Sequence, residues 1–161
     1  MIGEMRDAVS FTAAMSAADT GHLVLSTLHT TNASQSVNRI LDFFKADERE
    51  QIRRQLAGTL QAVVCQRMVT TVAGGMTPAL EILINTPIVR KLIEENRLDK
   101  LPLAIETGTE DGMLNFNQAL FNLVKDGKVS EKEALSKASN PQALEMNFKG
   151  IFLDEGRRIL Q

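Results

Sequence analysis

The sequence predicts an α/β fold, with a mixed helix and strand region over residues 1–86 and an all-helical region over 87–141. A short apolar run at 22–28 lies between two segments with helical spacing, as expected for a buried parallel strand. Two further apolar runs flank the Gly74-Gly75 pair and predict a β-hairpin. Beyond Pro87 only helical patterns follow, which predicts a helical C-terminal subdomain.

The composition excludes several classes of protein. The chain has 161 residues and a net charge of −2, which gives no reason to expect binding to nucleic acid or to an anionic membrane. No run of eighteen apolar residues occurs, and Met1 is not followed by a basic segment and a hydrophobic stretch, so neither a membrane span nor a secretory signal is predicted. Cys65 is the single cysteine, which excludes an internal disulfide and a cysteine-rich metal site. These features predict a cytosolic protein.

The first region alternates between helical and extended patterns. In chain order, the predicted elements are a helix over 6–18, a strand over 22–28, a helix over 33–44, a charged helix from about residue 47 to 63 or 64, and hairpin strands over 65–72 and 76–84. Val9, Phe11 and Met15 fall roughly on one face of the first helix. Gly21 ends that helix, and the polar residues 29–32 end the strand.

The second region begins at Pro87, which suits the first turn of a helix. The later signals, in order, are a helix over 115–124, a capping box over 130–133 that opens a last short helix, and the pair Asn140-Pro141, which closes it. The tail over 142–161 follows no pattern that assigns its structure, so the sequence leaves it open.

Local chemistry alone leaves the function undecided. Glu4 could lie at the carboxyl end of a strand, where an acidic residue can act on a ligand or metal, but it could also be a solvated terminal residue. His22 and His29 stand at the start and just beyond the end of the same predicted strand, and each could be a structural histidine. The 161 residues contain no Ser/His/Asp order, no metal-spaced cluster and no glycine-rich phosphate loop.

Three blocks, taken in order, carry a resemblance that no single block would carry. They are residues 3–7 (Gly-Glu-Met-Arg-Asp), 17–24 (Ala-Ala-Asp-Thr-Gly-His-Leu-Val) and 26–31 (Ser-Thr-Leu-His-Thr-Thr). Together they resemble the secretion and pilus (traffic) ATPase superfamily. The first block looks like the end of the Walker B segment, and the other two look like the histidine box. The resemblance continues through residues 66–69, 81–87 and 112–116, to about residue 141.

The resemblance implies the distal half of a RecA-like P-loop ATPase core, followed by the helical subdomain. It assigns Glu4 to the Walker B glutamate that orders the attacking water and His29 to the histidine that senses the γ-phosphate. His22 matches the other histidine of the box and is expected to support the site from behind, as a partly buried side chain. Arg6 and Asp7 belong to the same motif, but a helix-cap or packing role is as good an interpretation for both.

The resemblance also sets limits on what these residues do alone. The family's phosphate loop, aspartate box and arginine fingers precede the Walker B strand, where this sequence begins, so ATP and Mg²⁺ are expected as cofactors of the intact protein only. The 161 residues alone are expected to be inactive. Where the family often has a glutamate two residues after the Arg-Asp pair, this chain has Val9.

The hairpin and the helix after it resemble those of one branch of the superfamily, the type IV pilus retraction (twitching-motility) ATPases. Assembly and secretion ATPases often insert a domain with two Cys-x-x-Cys pairs here, whereas this chain passes directly through 70–75 to the next strand. The helix carrying Ile88, Arg90, Leu92 and Ile93 resembles the motif that retraction ATPases need for pilus disassembly. Its other interpretation is an ordinary amphipathic helix with Arg90 and Glu94 paired at i, i+4.

The implied function is therefore a homo-hexameric ATPase that drives type IV pilus retraction from the inner face of the cytoplasmic membrane, coupled to a membrane platform protein. Two alternatives stay open at this point. One is an assembly, type II secretion or competence traffic ATPase. The other is a non-catalytic interaction or scaffold domain.

Overall fold

The computed structural model describes residues 1–152 and combines helices with a small amount of β-structure. In chain order the elements are α1 (Ala8–Asp19), α2 (Ala33–Asp42), α3 (Arg49–Thr59), β1 (Ala62–Thr70), β2 (Met76–Ile84), α4 (Pro87–Glu94), α5 (Leu101–Thr107), α6 (Phe116–Lys125), α7 (Glu131–Lys137) and α8 (Pro141–Phe148), with short 3₁₀ turns at Leu98–Lys100 and Thr109–Asp111. They form two compact units. The first contains Met1–Val63 and Ile84–Ala104, and the second contains Val64–Leu83 and the described residues from Ile105 to 152.

Helices α1 to α4 build the first unit. Phe11 and Met15 of α1 are buried, and the Phe11 ring stacks on Phe43 with 5.2 Å between the ring centroids. Helix α3 contacts both α1 and α4, so the apolar faces of the four helices share one core. Val9 departs from the predicted face, because its side chain is 79% exposed.

The segment over 22–28, predicted as a strand, forms only a short parallel pairing with the N-terminal residues. Glu4 and Thr27 make an isolated parallel bridge, and the Ile2 amide donates to the Leu25 carbonyl at 2.9 Å. Parallel strands are stable where other elements cover both faces. In this structure Leu23 and Leu25 are exposed, so one face of this segment has no such cover.

Helix α3 ends at Thr59, four or five residues before the predicted end at 63 or 64. The Asn85 side chain accounts for this end, because its Nδ2 donates to the carbonyls of Ala57 at 2.8 Å and Leu60 at 2.7 Å. The Asn85 amide also donates to the Gln61 carbonyl at 2.9 Å. Carbonyls that would lack helical partners at this terminus are thereby satisfied, and the chain turns directly into β1.

The second unit contains the predicted hairpin, which the structure confirms as β1 and β2. Its turn is closed by a hydrogen bond from the Thr71 amide to the Gly75 carbonyl at 3.1 Å. Gly74 and Gly75 have φ angles of +89° and +83°, a left-handed conformation that glycine adopts without steric cost. The strands then turn Cys65, Val69, Ala79 and Leu83 inward, where they are buried.

Helices α6, α7 and α8 pack together in the second unit. The Arg67 guanidinium of β1 lies over the Phe116 ring of α6, 3.8 Å from its centroid, and donates to the Lys137 carbonyl at 2.9 Å. The Thr70 amide donates to Glu133 Oε1 of α7 at 2.9 Å. These contacts fix the hairpin to the helices through cation–π and charge-assisted hydrogen bonds.

Most of helix α8 lies in the segment over 142–161, for which the sequence pattern predicts no structure. Asn140-Pro141 was predicted to close a helix, but it opens one: Asn140 accepts from the Ala143 amide at 3.1 Å, and Pro141 takes the first helical position. Leu144 is fully buried. The rest of the predicted tail, 153–161, lies outside the described residues. Within residues 1–152, no helix has the length and apolar character needed to cross a bilayer.

Candidate functional site

The N-terminal residues are held in place by backbone hydrogen bonds to the segment that precedes His29. The Met5 amide donates to the Thr27 carbonyl at 3.4 Å, and Ser26 Oγ donates to the Gly3 carbonyl at 2.6 Å. Parallel pairing aligns the carboxyl ends of two segments at one edge. Glu4 and His29 are therefore brought to the same edge, although they are 25 positions apart in the sequence.

The loop 29–32 is organised by the start of α2. Asn32 caps this helix by accepting from the Gln35 amide at 2.8 Å. Thr30 Oγ1 shares a 2.6 Å hydrogen bond with the buried Ser36, and Thr31 Oγ1 donates to the Gln35 side chain at 2.6 Å. The backbone on both sides of His29 is thus fixed, while its own side chain is 86% exposed.

Glu4 and His29 are in direct contact. The distance from His29 Nε2 to Glu4 Oε1 is 3.0 Å, and the Glu4 side chain is 26% exposed. The structure therefore brings together the two residues that the motif assigned to one site. A carboxylate beside an imidazole at a strand edge can order a water molecule and a phosphate oxygen next to each other.

Arg6 completes the cluster, because its Nη2 donates to Oε2 of Glu4. This hydrogen bond is the main reason that the pKa of Glu4 lies below its ordinary value; desolvation opposes it, and the positive charges of Arg6 and His29 add to it. Glu4 is therefore ionised at neutral pH. Sequence reasoning missed the contact, although the two-residue spacing on an extended segment could have revealed it, since such residues point to the same side.

His22 and Asp7 do not join this cluster. His22 Nδ1 lies 3.1 Å from Thr20 Oγ1, and the residue is exposed, so the expectation of a partly buried His22 is wrong. Asp7 caps α1 by accepting from the Ser10 amide at 2.7 Å, which confirms the helix-cap interpretation. That hydrogen bond is also the main reason that the pKa of Asp7 is lowered.

The four predicted residues of α4 divide into two groups. Ile93 is fully buried and Leu92 is half-buried, whereas Ile88 is 69% exposed and Arg90 is exposed as well. The predicted ion pair between Arg90 and Glu94 does not form among the described residues. Instead, Lys91 Nζ lies 3.8 Å from Glu95 Oε1. Ile88 and Arg90 therefore present an apolar and a cationic side chain to solvent.

At this edge the described residues offer a carboxylate, an imidazole and a guanidinium to a bound group. Among residues 1–152, no group of three or more His, Cys, Asp or Glu side chains could hold a metal ion. In nucleotide sites Mg²⁺ usually takes one or two carboxylates, with phosphate oxygens and water as its other ligands. Both oxygens of Glu4 already face a donor, Arg6 at one and His29 at the other. The acceptor positions that remain on the carboxylate suit a hydrogen bond from water.

The fold is that of the RecA-like traffic ATPases. The chain superimposes on the crystal structure of the pilus retraction motor PilT with bound ADP, with a TM-score of 0.78 and 36% sequence identity. The superposition covers 89% of this chain and 40% of the PilT chain. The family model for the type II/IV secretion system protein matches residues 1–111. The chain therefore belongs to this family, and the predicted fold, the distal part of a RecA-like core with helices beyond it, is confirmed.

Similar proteins of known sequence lead to the same branch. The type IV pilus retraction ATPase PilT of Pseudomonas aeruginosa is 40% identical over 142 residues, which are 88% of this chain and 41% of that protein. A twitching motility protein of Neisseria gonorrhoeae is 41% identical over 145 residues, 89% of this chain and 39% of that protein. The chain thus spans about two fifths of their length, and the predicted resemblance to pilus retraction ATPases is confirmed.

An assembly ATPase matches a smaller part of the chain. The type IV pilus assembly ATPase PilB of Acinetobacter baylyi is 38% identical over 68 residues, which are 42% of this chain and 11% of that protein. The retraction relatives therefore match about twice as much of the chain at similar identity.

Proposed function

We propose that this chain is the part of a pilus retraction ATPase that carries the water-ordering edge of its ATP site. The observation that supports the proposal is the contact between Glu4 and His29 at the end of the parallel pairing. An ionised carboxylate and an exposed imidazole, side by side, are the groups that hydrolysis of a terminal phosphate needs at this edge.

In the proposed reaction, Glu4 accepts a hydrogen bond from the attacking water and directs the lone pair of the water oxygen at the γ-phosphorus. Glu4 takes up the proton that the water loses and then releases it to the phosphate product or to solvent. A bond from the water oxygen to phosphorus forms, the bond to the β–γ bridging oxygen breaks, and the products are ADP and inorganic phosphate. His29 donates from its ring to a γ-phosphate oxygen, where negative charge is to be offset. Mg²⁺, when bound, would neutralise part of the charge on the phosphates.

The experiment is a turnover measurement on the longer ATPase that carries this segment. Glu4→Gln keeps the size of the side chain but cannot take up a proton, so the turnover number should fall about 100-fold or more while ATP affinity changes little. The matched control is Glu50→Gln, an exposed glutamate paired with Arg54 at 2.5 Å, which should behave as the parent. Turnover of Glu4→Gln within a few-fold of the parent would remove Glu4 from the reaction and favour a non-catalytic interaction or scaffold domain.

We also propose that the 161 residues alone bind ATP weakly and do not hydrolyse it. They contain no phosphate loop, whose backbone amides and lysine supply most of the affinity for phosphates. Calorimetry on the purified chain checks this point. Micromolar ATP binding would contradict it.

Retraction, rather than assembly or secretion, is the proposed use of the ATPase. The relatives that match most of the chain support this choice, as does the direct passage of the hairpin through Thr71–Gly75 without a cysteine-containing insertion. The proposed assembly is a cytoplasmic homo-hexamer at the inner face of the membrane, coupled to a platform protein. Exposed Ile88 and Arg90 of α4 are the proposed residues for transmitting that coupling.

A motility assay separates the coupling from the chemistry. Combined Ile88→Ser and Arg90→Ala substitutions should abolish twitching while ATP turnover is retained. Both side chains are exposed on α4 and do not belong to the buried core of the unit. Lys91→Ala, at another exposed position of the same helix, is the control. If cells that lack the protein no longer form pili, the assembly role would be favoured instead.

A further inference from the structure

Arg6 contacts the carboxylate of Glu4 from a nearby position on the same segment of the chain. The backbone of Glu4 is fixed by its bridge to Thr27, and Arg6 follows two positions later on the same extended segment. Side chains two positions apart on extended backbone point to the same side. Arg6 Nη2 donates to Oε2 of Glu4, while His29 Nε2 meets Oε1 at 3.0 Å, so the carboxylate is held from both ends.

We infer that Arg6 is a positioning residue for Glu4, fixing the plane of the carboxylate so that Oε1 faces the water and His29. This inference rests on the proposed function of Glu4. A carboxylate has about four acceptor positions on its two oxygens, so two donors leave room for a water molecule. Arg6 acts through Glu4 and does not itself touch the reacting atoms in this role.

A second donor is needed because a glutamate side chain has three rotatable bonds and loses considerable freedom when it is held in one rotamer. The imidazole of His29 is 86% exposed and on its own leaves the carboxylate free to rotate about the Oε1 contact. Arg6 donates through Nη2 alone, and its planar guanidinium directs that hydrogen bond more closely than the point charge of a lysine would. Arg6 thus supplies the second fixed point.

The charges that face Glu4 are those of Arg6 and, when protonated, His29, while the nearby Asp7 carboxylate is directed to the Ser10 amide. The lowered pKa of Glu4 is caused first by the Arg6 hydrogen bond. Removing that bond should therefore raise the pKa of Glu4 and release its side chain. An exposed surface pair without function would leave both the reaction and its pH dependence unchanged.

The first arm of the test uses the 161-residue chain and requires no activity. The carboxyl carbon of Glu4 is titrated by ¹³C NMR in the parent, Arg6→Gln, Arg6→Lys and the control Arg54→Gln, whose arginine pairs with Glu50. The pKa of Glu4 should rise in Arg6→Gln, rise less in Arg6→Lys and stay unchanged in Arg54→Gln. An unchanged titration in Arg6→Gln would overturn the inference.

The second arm uses the longer ATPase. Arg6→Gln should lower kcat about tenfold, less than loss of Glu4 itself, with KM for ATP within about twofold of the parent. The acidic limb of the kcat–pH profile should move to higher pH, because a raised pKa leaves Glu4 protonated over a wider range, and Arg6→Lys should restore part of both effects.

An unshifted limb or an unchanged kcat in Arg6→Gln, where Glu4→Gln abolishes turnover, would overturn the inference and leave the proposed function intact. A Glu4→Gln enzyme with parental turnover would instead remove the proposed function, and with it the role of Arg6.

Discussion

Replacing Asn85 tests how the first unit is held together. The Asn85 amide nitrogen donates to the carbonyls of Ala57 and Leu60, at 2.8 and 2.7 Å, in a partly buried position at the end of α3. Each neutral hydrogen bond contributes about 0.5–1.5 kcal/mol net. Asn85→Ala should therefore lower the free energy of unfolding by about 1–3 kcal/mol, measured on the 161-residue chain by urea denaturation and circular dichroism.

Asn85→Asp gives the sharper test, because it keeps the shape and removes the donors. At pH 7 the carboxylate would face two carbonyl oxygens, so this variant should be less stable than Asn85→Ala. Burial among carbonyls raises the carboxyl pKa in the folded state, and its protonated form can donate one hydrogen bond. The penalty therefore applies above that raised pKa and shrinks as the pH falls through it.

The control for this prediction is Asn38→Asp, at an exposed position of α2, which should stay within about 0.5 kcal/mol of the parent. The prediction fails if Asn85→Asp is as stable as Asn85→Ala at pH 7. It is also refuted if Asn85→Ala unfolds with the same free energy as the parent.

Two further predictions concern the histidines and the hairpin. His29→Ala should lower turnover of the longer ATPase at least tenfold, because His29 contacts Glu4. His22→Ala should leave both the turnover and the melting temperature close to those of the parent, because His22 is exposed and its ring contacts Thr20. A catalytically dead His22→Ala variant would place His22 in the site. Glu133→Ala should lower the melting temperature at pH 7, because the Thr70 amide loses its acceptor. That hydrogen bond also lowers the pKa of Glu133 in the folded state. The stabilisation is therefore present above the ordinary glutamate pKa of about 4.3 and is lost as the pH falls through the lower folded value. A difference in melting temperature between parent and variant that stays constant from about pH 7 to about pH 3 would count against this.

Elements with local signals were predictable from the sequence. The hairpin follows from the Gly74-Gly75 pair between two apolar runs, since only glycine adopts the required φ values freely. Helix α4 follows from Thr86-Pro87 and the spacing of its apolar residues. The same kind of signal was available at Asn140-Pro141, where a cap followed by proline marks the start of α8 more directly than the end of α7.

Elements that depend on distant residues were not predictable in the same way. The early end of α3 depends on Asn85, about 25 residues further along the chain, and helical spacing alone continues past Thr59. The strand over 22–28 lacked the neighbours that a parallel strand needs, which a local apolar pattern cannot report. Val9 is exposed although helical spacing grouped it with Phe11, because spacing gives the face only approximately.

The candidate site was predictable as a set of residues through family resemblance, and its geometry was not. The motif named Glu4 and His29, and the structure adds their 3.0 Å contact. It also separates His22, which the motif had joined to them, and adds Arg6, whose side chain the motif left between two interpretations. Such contacts depend on the pairing of two segments that are far apart in the sequence.

A double-mutant cycle on turnover of the longer ATPase tests most directly whether Glu4 and His29 act as one unit. The rates of Glu4→Gln, His29→Ala and the combined variant are compared with the parent. If both residues serve the same transition state, the combined variant should be about as slow as the slower single variant, a coupling of about 1.4 kcal/mol or more for a tenfold departure from additivity. Losses that multiply independently would contradict the account.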